Sequence, residues 1–238
     1  MISTREKIKF VVLRTIGNFL VLFSIFGMAM TFGPALYEEV KYRYGQWQGV
    51  RYVVAEGEQV SNGEIVPTPV AQGFFGQIPG SKVQVLRPAD PNFSVVIPKI
   101  GANSRVIANV DAGNYDSYIQ ALQQGVAHAD GTGFPGGGTK IYLFAHSTDS
   151  FWNVGRYNAV FYLLKELEPG DEVDMFYGRV RYKYRVMEKK IVSPSEVGYL
   201  TDRKPIEELI LQTCWPPGTT LDRLLVIARP ESDVSLTR

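Results

Sequence analysis

From Thr15 to Leu36 the chain carries no charged residue, and most positions are apolar. A helix over that run, at about 1.5 Å rise per residue, is about 33 Å long, close to the thickness of bilayer hydrocarbon. The run is apolar all the way round, which argues against a helix packed on one face of a soluble domain. A cleaved signal peptide would have an apolar region of about 7–15 residues ending in small residues. This run is longer and ends in bulky Leu36-Tyr37. The pattern predicts an uncleaved transmembrane anchor over 15–36. Residues 1–14 hold Arg5, Lys7, Lys9 and Arg14 against the single acid Glu6. This basic tail is expected to stay in the cytoplasm, with the rest of the chain outside the cell.

The pattern changes at Tyr37. A short charged piece (Glu38, Glu39, Lys41, Arg43) leads into a stretch rich in Gly, Pro, Val and Gln, broken by Pro67, Pro69, Pro79, Pro88 and Pro91. Prolines at that density disfavour a packed core. Residues 37–92 are therefore expected to be an extracellular linker, a mostly flexible spacer, with a lid over a cleft as the alternative.

From Phe93 onward, short apolar runs alternate with turn residues, the pattern of a β-rich domain over 93–238. Phe93 to Ile100 and Ser104 to Ile107 read as strands joined by a Gly-Ala-Asn turn. Tyr115, Tyr118, Ile119 and Leu122 recur at helical spacing, with Asn114 as cap and Gly125 as stop. Lys140 to Ala145 is a short apolar strand that delivers His146. Arg156 to Leu167 reads as a second helix, closed by a Glu-Pro-Gly-Asp turn. Asp171 to Tyr177 and Arg179 to Ile191 form an expected hairpin around Gly178. Near the end, Leu209 to Cys214 is an apolar run, Pro216-Pro217-Gly218 a turn, and a further apolar run begins after Arg223. Many short strands with frequent turns point to a small closed or partly closed barrel with short helices, preceded by the one membrane helix.

Composition agrees: 23 glycines, 14 prolines and many β-branched and aromatic residues disfavour a helix-only fold. The net charge of +1 gives no electrostatic reason to expect nucleic acid as a partner. The one cysteine cannot form an internal disulfide. In an extracellular domain it is a reactive thiol or a site of intermolecular pairing.

That cysteine carries the candidate chemistry. Cys214 ends one strand, Arg223 starts the next, and His146 ends a strand far upstream. A thiol is a nucleophile, an imidazole a proton shuttle, and a guanidinium a charged fork of donors for carbonyl or oxyanion oxygens. Thr213, beside the thiol, and His128, in Gly-rich surroundings, are candidate substrate contacts. Arg229 is a weaker rival to Arg223, six residues further along the strand. Cys214, His146 and His128 do not have zinc-ligand spacing.

The stretch Leu209-Ile210-Leu211-Gln212-Thr213-Cys214 followed by Arg223 resembles the sortases, whose signature is a Thr-Leu-x-Thr-Cys strand with an arginine on the next strand and a distant histidine. Leu211, Thr213, Cys214 and Arg223 match that signature; Ile210 replaces its first threonine, and Ala145 a common glycine before the histidine. The likeness extends to Ile97-Pro98-Lys99-Ile100, to Gly125-Val126-Ala127-His128 before a Pro-Gly turn, to Leu167, Gly170, Asp171 and Val173, and to Val192-Ser193-Pro194. The resemblance implies an eight-stranded sortase-type β-barrel with the site at the ends of adjacent strands. It implies a cysteine transpeptidase with Cys214, His146 and Arg223 catalytic, acting on a C-terminal sorting signal of the Leu-Pro-x-Thr-Gly type. The acceptor would be an amine from a cell-wall precursor or a pilin. A thiol hydrolase on the same barrel and a non-catalytic extracellular binding barrel are the alternatives. No cofactor or metal is expected: calcium sites occur in the family, but Asp and Glu are too scattered here to assign one.

Overall fold

The computed structural model describes residues 4–54, 60–61, 64–65, 82–147, 160–202, 205–217 and 219–231. Helix α1 spans Thr4–Trp47. Its part from Thr4 to Met30 is long and apolar enough to cross a membrane by length and composition, and none of its most apolar window is buried. The helix is longer than the expected 15–36 segment and does not stop at Leu36. It runs on through the charged piece, so the first residues of the expected spacer are helical.

Four short strands follow: β1 (Arg51–Val54), β2 (Val60–Ser61), β3 (Glu64–Ile65) and β4 (Val83–Leu86). β1 pairs with β4 in parallel, and β2 with β3 antiparallel. The β1–β4 ribbon is not a free tether. Val54 and Leu86 pack on Val96 and Phe176, which are buried beneath them.

The domain beyond is a closed barrel of β5 (Phe93–Ile97), β6 (Ala102–Val110), β7 (Val126–Ala129), β8 (Ile141–Phe144), β9 (Glu172–Tyr177), β10 (Val180–Val192), β11 (Leu209–Trp215) and β12 (Asp222–Pro230). Around the barrel the order is β10-β12-β11-β8-β7-β6-β5-β9. Val95, Ile97, Leu143, Leu209, Leu211, Met175 and Tyr184 are among the fully buried side chains of the core. Closure removes every free edge within the barrel sheet. The eight strands, the hairpin at Gly178 and the predicted barrel are all present.

The helices are short. Tyr115–Gln124 forms α2 as expected: the Asn114 side chain accepts from the Ser117 N–H, and the chain leaves the helix at Gly125. Gly198–Thr201 forms α3. Two 3-10 turns close one rim of the barrel, Pro98–Ile100 and Tyr162–Glu166. The first ends the strand expected through Ile100, because Pro98 has no N–H for the ladder. The second replaces the described part of the helix expected over 156–167; Tyr162, Leu163 and Leu164 bury three consecutive side chains there, more than one stripe of an amphipathic α-helix accounts for.

Candidate active site

Strand register brings the three reactive side chains to one rim. β8 and β11 run parallel, with Phe144 beside Gln212. Two residues further on stand His146, just past the end of β8, and Cys214, within β11. Neighbouring strands lie about 4.8 Å apart, so imidazole and thiol begin from adjacent backbone positions. On the other side of Cys214 is Arg223, its directly opposed partner on antiparallel β12. Paired residues share a face of the sheet, so thiol and guanidinium project to the same side. Cys214, His146 and Arg223 are all partly exposed. A substrate could reach them.

Two hydrogen bonds carry the pairing past the end of β8. The Ala145 N–H donates to the Gln212 carbonyl at 3.2 Å, and the Thr213 hydroxyl donates to the Ala145 carbonyl at 3.1 Å. The residue before the imidazole is thus fastened to the two residues before the thiol. Thr213 was expected to touch substrate. Instead it is buried, alternation turns it to the face opposite Cys214, and its hydroxyl bonds to the histidine strand.

His128 also differs from expectation. It lies in β7 opposite Leu143. Leu143 alternates with Tyr142 and Phe144, so His128 faces away from the side that carries His146 and Cys214. It is fully buried against Phe93 and Phe134. Its Nδ1 accepts from the Asn109 N–H at 3.2 Å, and its Nε2 is 2.9 Å from the Gly133 carbonyl and 3.0 Å from the Thr132 hydroxyl. Asn109 has left-handed backbone (φ 54°) at an irregularity in the β6–β7 register, which turns its N–H toward the ring. Burial pushes the His128 pKa down, against the upward pull of the Gly133 carbonyl. A neutral ring with its proton on Nε2 satisfies this set. His128 holds a loop in place.

Arg223 is steered by its own turn. Its Nη1 donates to the carbonyls of Thr220 and Asp222 at 3.1 and 3.0 Å. A guanidinium has five N–H donors, and among the described residues those of Nε and Nη2 have no hydrogen-bond partner. Arg229 is bonded elsewhere, to Glu208 at 3.4 Å. Tyr118 of α2 and Tyr142 of β8 also belong to the surroundings. Burial raises the Tyr118 pKa first; the nearby Tyr115 and Cys214 add to this and Arg223 opposes it. Tyr142 is raised by burial and pulled down by Arg223. In the sequence, Tyr118 stands out only as part of a helical stripe. A tyrosine at the core edge of that stripe, on a helix that must lie against the barrel, was the available signal.

At one rim of the closed eight-stranded barrel, a thiol, an imidazole and a guanidinium thus stand on adjacent strand ends, the groups that a thiol acyl transfer would need. The family model described as the sortase domain matches residues 95–231. The chain belongs to the sortase family, whose members are membrane-associated. Sortase D of Bacillus subtilis (strain 168) is 29% identical over 120 residues, which are 50% of this chain and 52% of the relative. The chain thus spans about half the length of that curated relative. Among solved structures, sortase C-1 from Actinomyces oris is 26% identical with a TM-score of 0.50, covering 60% of this chain and 75% of its own. Sortase C1 from Streptococcus suis is likewise 26% identical with a TM-score of 0.50, covering 62% and 76%.

Proposed function

We propose that this chain is a cysteine transpeptidase, which cleaves a C-terminal sorting signal of the Leu-Pro-x-Thr-Gly type and joins the new C-terminus to an amine. The supporting observation is the register that sets Cys214 between His146 and Arg223 on one rim. In this reading the Cys214 thiolate adds to the Thr carbonyl carbon of the Thr–Gly bond. The developing oxyanion, or the peptide carbonyls beside it, takes the remaining guanidinium donors of Arg223. His146 protonates the departing glycine nitrogen as the C–N bond breaks, leaving a thioester and a neutral imidazole. The incoming amine then adds to the thioester carbonyl, His146 takes its proton, and the C–S bond breaks to restore the thiolate beside a protonated His146. Thr213 acts as a positioning residue. The amine comes from a cell-wall precursor or a pilin. Helix α1 is the membrane anchor, with the basic N-terminus cytoplasmic and the barrel outside.

The test is Cys214→Ala with a sorting-signal peptide, with and without an amine acceptor. The substitution should abolish cleavage, and the parent should form ligated product when the amine is present. Equal cleavage by parent and variant would remove the enzymatic reading. Cleavage without ligation would leave hydrolysis in its place.

A further inference from the structure

The end of the barrel that carries the site is also the end gripped by α1. Arg223 is level with Val192, so the C-terminal end of β10 lies at that rim. Both 3-10 turns lie there too. The Lys189 ammonium donates to the Lys165 carbonyl at 2.5 Å, and Lys99 bonds to Asp171 at 2.8 Å. Onto these turns the part of α1 beyond the apolar run is docked. Lys165 bonds to Glu39 at 2.7 Å, with side chains only 24% and 15% exposed. Glu39 also accepts from Arg43 at 2.8 Å, and the Lys165 ammonium lies 4.8 Å from the centre of the Tyr162 ring. Tyr42 packs against the core.

Just after the helix, Tyr52 covers Gly101, where φ is +63° and an added Cβ would come within 3.1 Å of the tyrosine ring. A cleft of about 230 Å³ remains between helix and rim, lined by Tyr42, Tyr52, Lys99 and Tyr162 among others. Apolar packing therefore does not close this contact alone, and the Glu39–Lys165 bond is its anchor point. The bond from Lys165 holds the Glu39 pKa below the usual carboxylate range. For Lys165, burial works against the charge, and the bond and charge of Glu39, together with the nearby Tyr162 and Glu166, outweigh it and raise the pKa. Both groups stay charged across the neutral range.

We propose that this docked helix is a fixed strut, which holds the catalytic cleft at the level of the lipid headgroups and so selects substrates still held in the membrane. The proposal rests on the anchor and transpeptidase readings above. Glu39 is three residues beyond Leu36 and nine beyond Met30, an axial distance of about 4 to 14 Å depending on where the hydrocarbon ends. Each headgroup layer is about 5–8 Å deep, so Glu39 lies within it when the hydrocarbon ends at Leu36, as an anchor over 15–36 has it. A flexible spacer of the length of residues 37–92 would instead let the site roam over roughly 40 Å. At the fixed height, a peptide cleaved a few residues from an apolar membrane segment reaches the thiol without leaving the bilayer, since an extended residue covers about 3.4 Å. An acceptor amine carried on a lipid reaches it in the same way. A soluble peptide of identical sequence gains nothing from the strut.

The full chain is reconstituted in phosphatidylcholine–phosphatidylglycerol vesicles, as parent, Glu39→Lys, Lys165→Glu and the double exchange. Turnover is compared for a soluble sorting-signal peptide and for the same peptide with an apolar membrane tail. Each single reversal should lower the tailed-to-soluble ratio by about tenfold, the scale of lost effective concentration, with soluble turnover unchanged; the double exchange should restore it. A second readout is independent of activity. Cys214 is the only cysteine, so a fluorophore on it reports quenching by headgroup-nitroxide lipid. Quenching should be strong in the parent, fall in each single reversal and recover in the double exchange. Quenching equal in parent and Lys165→Glu overturns the strut, whatever the peptide assays give. Failure of the parent to process either peptide, with quenching as expected, overturns the transpeptidase reading and leaves the strut standing.

Discussion

Thr213→Val removes one hydroxyl and keeps the side-chain shape. The bond lost is the 3.1 Å contact to the Ala145 carbonyl, made by a side chain that is only 2% exposed. A neutral hydrogen bond contributes about 0.5–1.5 kcal/mol net, and a buried carbonyl left short of a donor costs about 1–3 kcal/mol. A stability loss of about 1–2 kcal/mol is expected, read as a lower urea midpoint at unchanged slope. The kinetic effect should be larger than that loss suggests. Ala145 precedes His146, and a displacement near 1 Å in a reacting pair can cost about a hundredfold. We expect kcat for sorting-signal cleavage to fall at least tenfold, with KM little changed because Thr213 does not face the substrate side. Thr213→Ser keeps the donor and should recover most of the turnover. The pH dependence of Cys214 alkylation gives the readout that a merely structural threonine would not move: its midpoint should shift in Thr213→Val and return in Thr213→Ser. A Val variant with parental kcat and an unshifted alkylation profile would refute the positioning role.

Arg223→Lys replaces a fork by a point charge and should lower kcat/KM for the same peptide about a hundredfold; parental turnover would make Arg223 a bystander. His128 is held neutral, with its folded pKa below the ordinary 6.5. Below pH 6.5 the unfolded chain takes up a proton that the folded chain refuses, so stability falls as pH drops toward the folded pKa, by up to about 1.4 kcal/mol per pH unit. Urea midpoints measured between pH 7 and pH 5 should therefore fall more steeply for the parent than for His128→Gln, and equal slopes would contradict the buried neutral ring.

The features legible in the sequence were those fixed by short-range pattern. Helix α2 carries its periodicity and its cap within one stretch, and the side chain of Asn114 does accept from Ser117. The hairpin at Gly178 and the two strands flanking the Pro-Pro-Gly turn are likewise local. What escaped depends on register or on distant partners. Glu39 reads only as part of a short charged piece opening a spacer, because its partner, Lys165, lies 126 residues further on. His128 stands among glycines, which suggested a loop near the site; only its pairing with Leu143 assigns its face. Thr213 is a different case. Alternation along its own strand already separated it from Cys214, and that signal was there to be read.

The parallel pairing of β8 with β11 has a temporal consequence. Parallel neighbours cannot be joined by a tight turn, so β9 and β10 are made after the histidine strand and before the cysteine strand. The arginine strand is the last of the described strands, and it seals the wall between β10 and β11. On the proposed transpeptidase reading, the nascent polypeptide therefore holds no complete centre until β12 has been laid down. A half-made molecule cannot acylate itself on a passing peptide, and reactivity switches on only with completion of the wall.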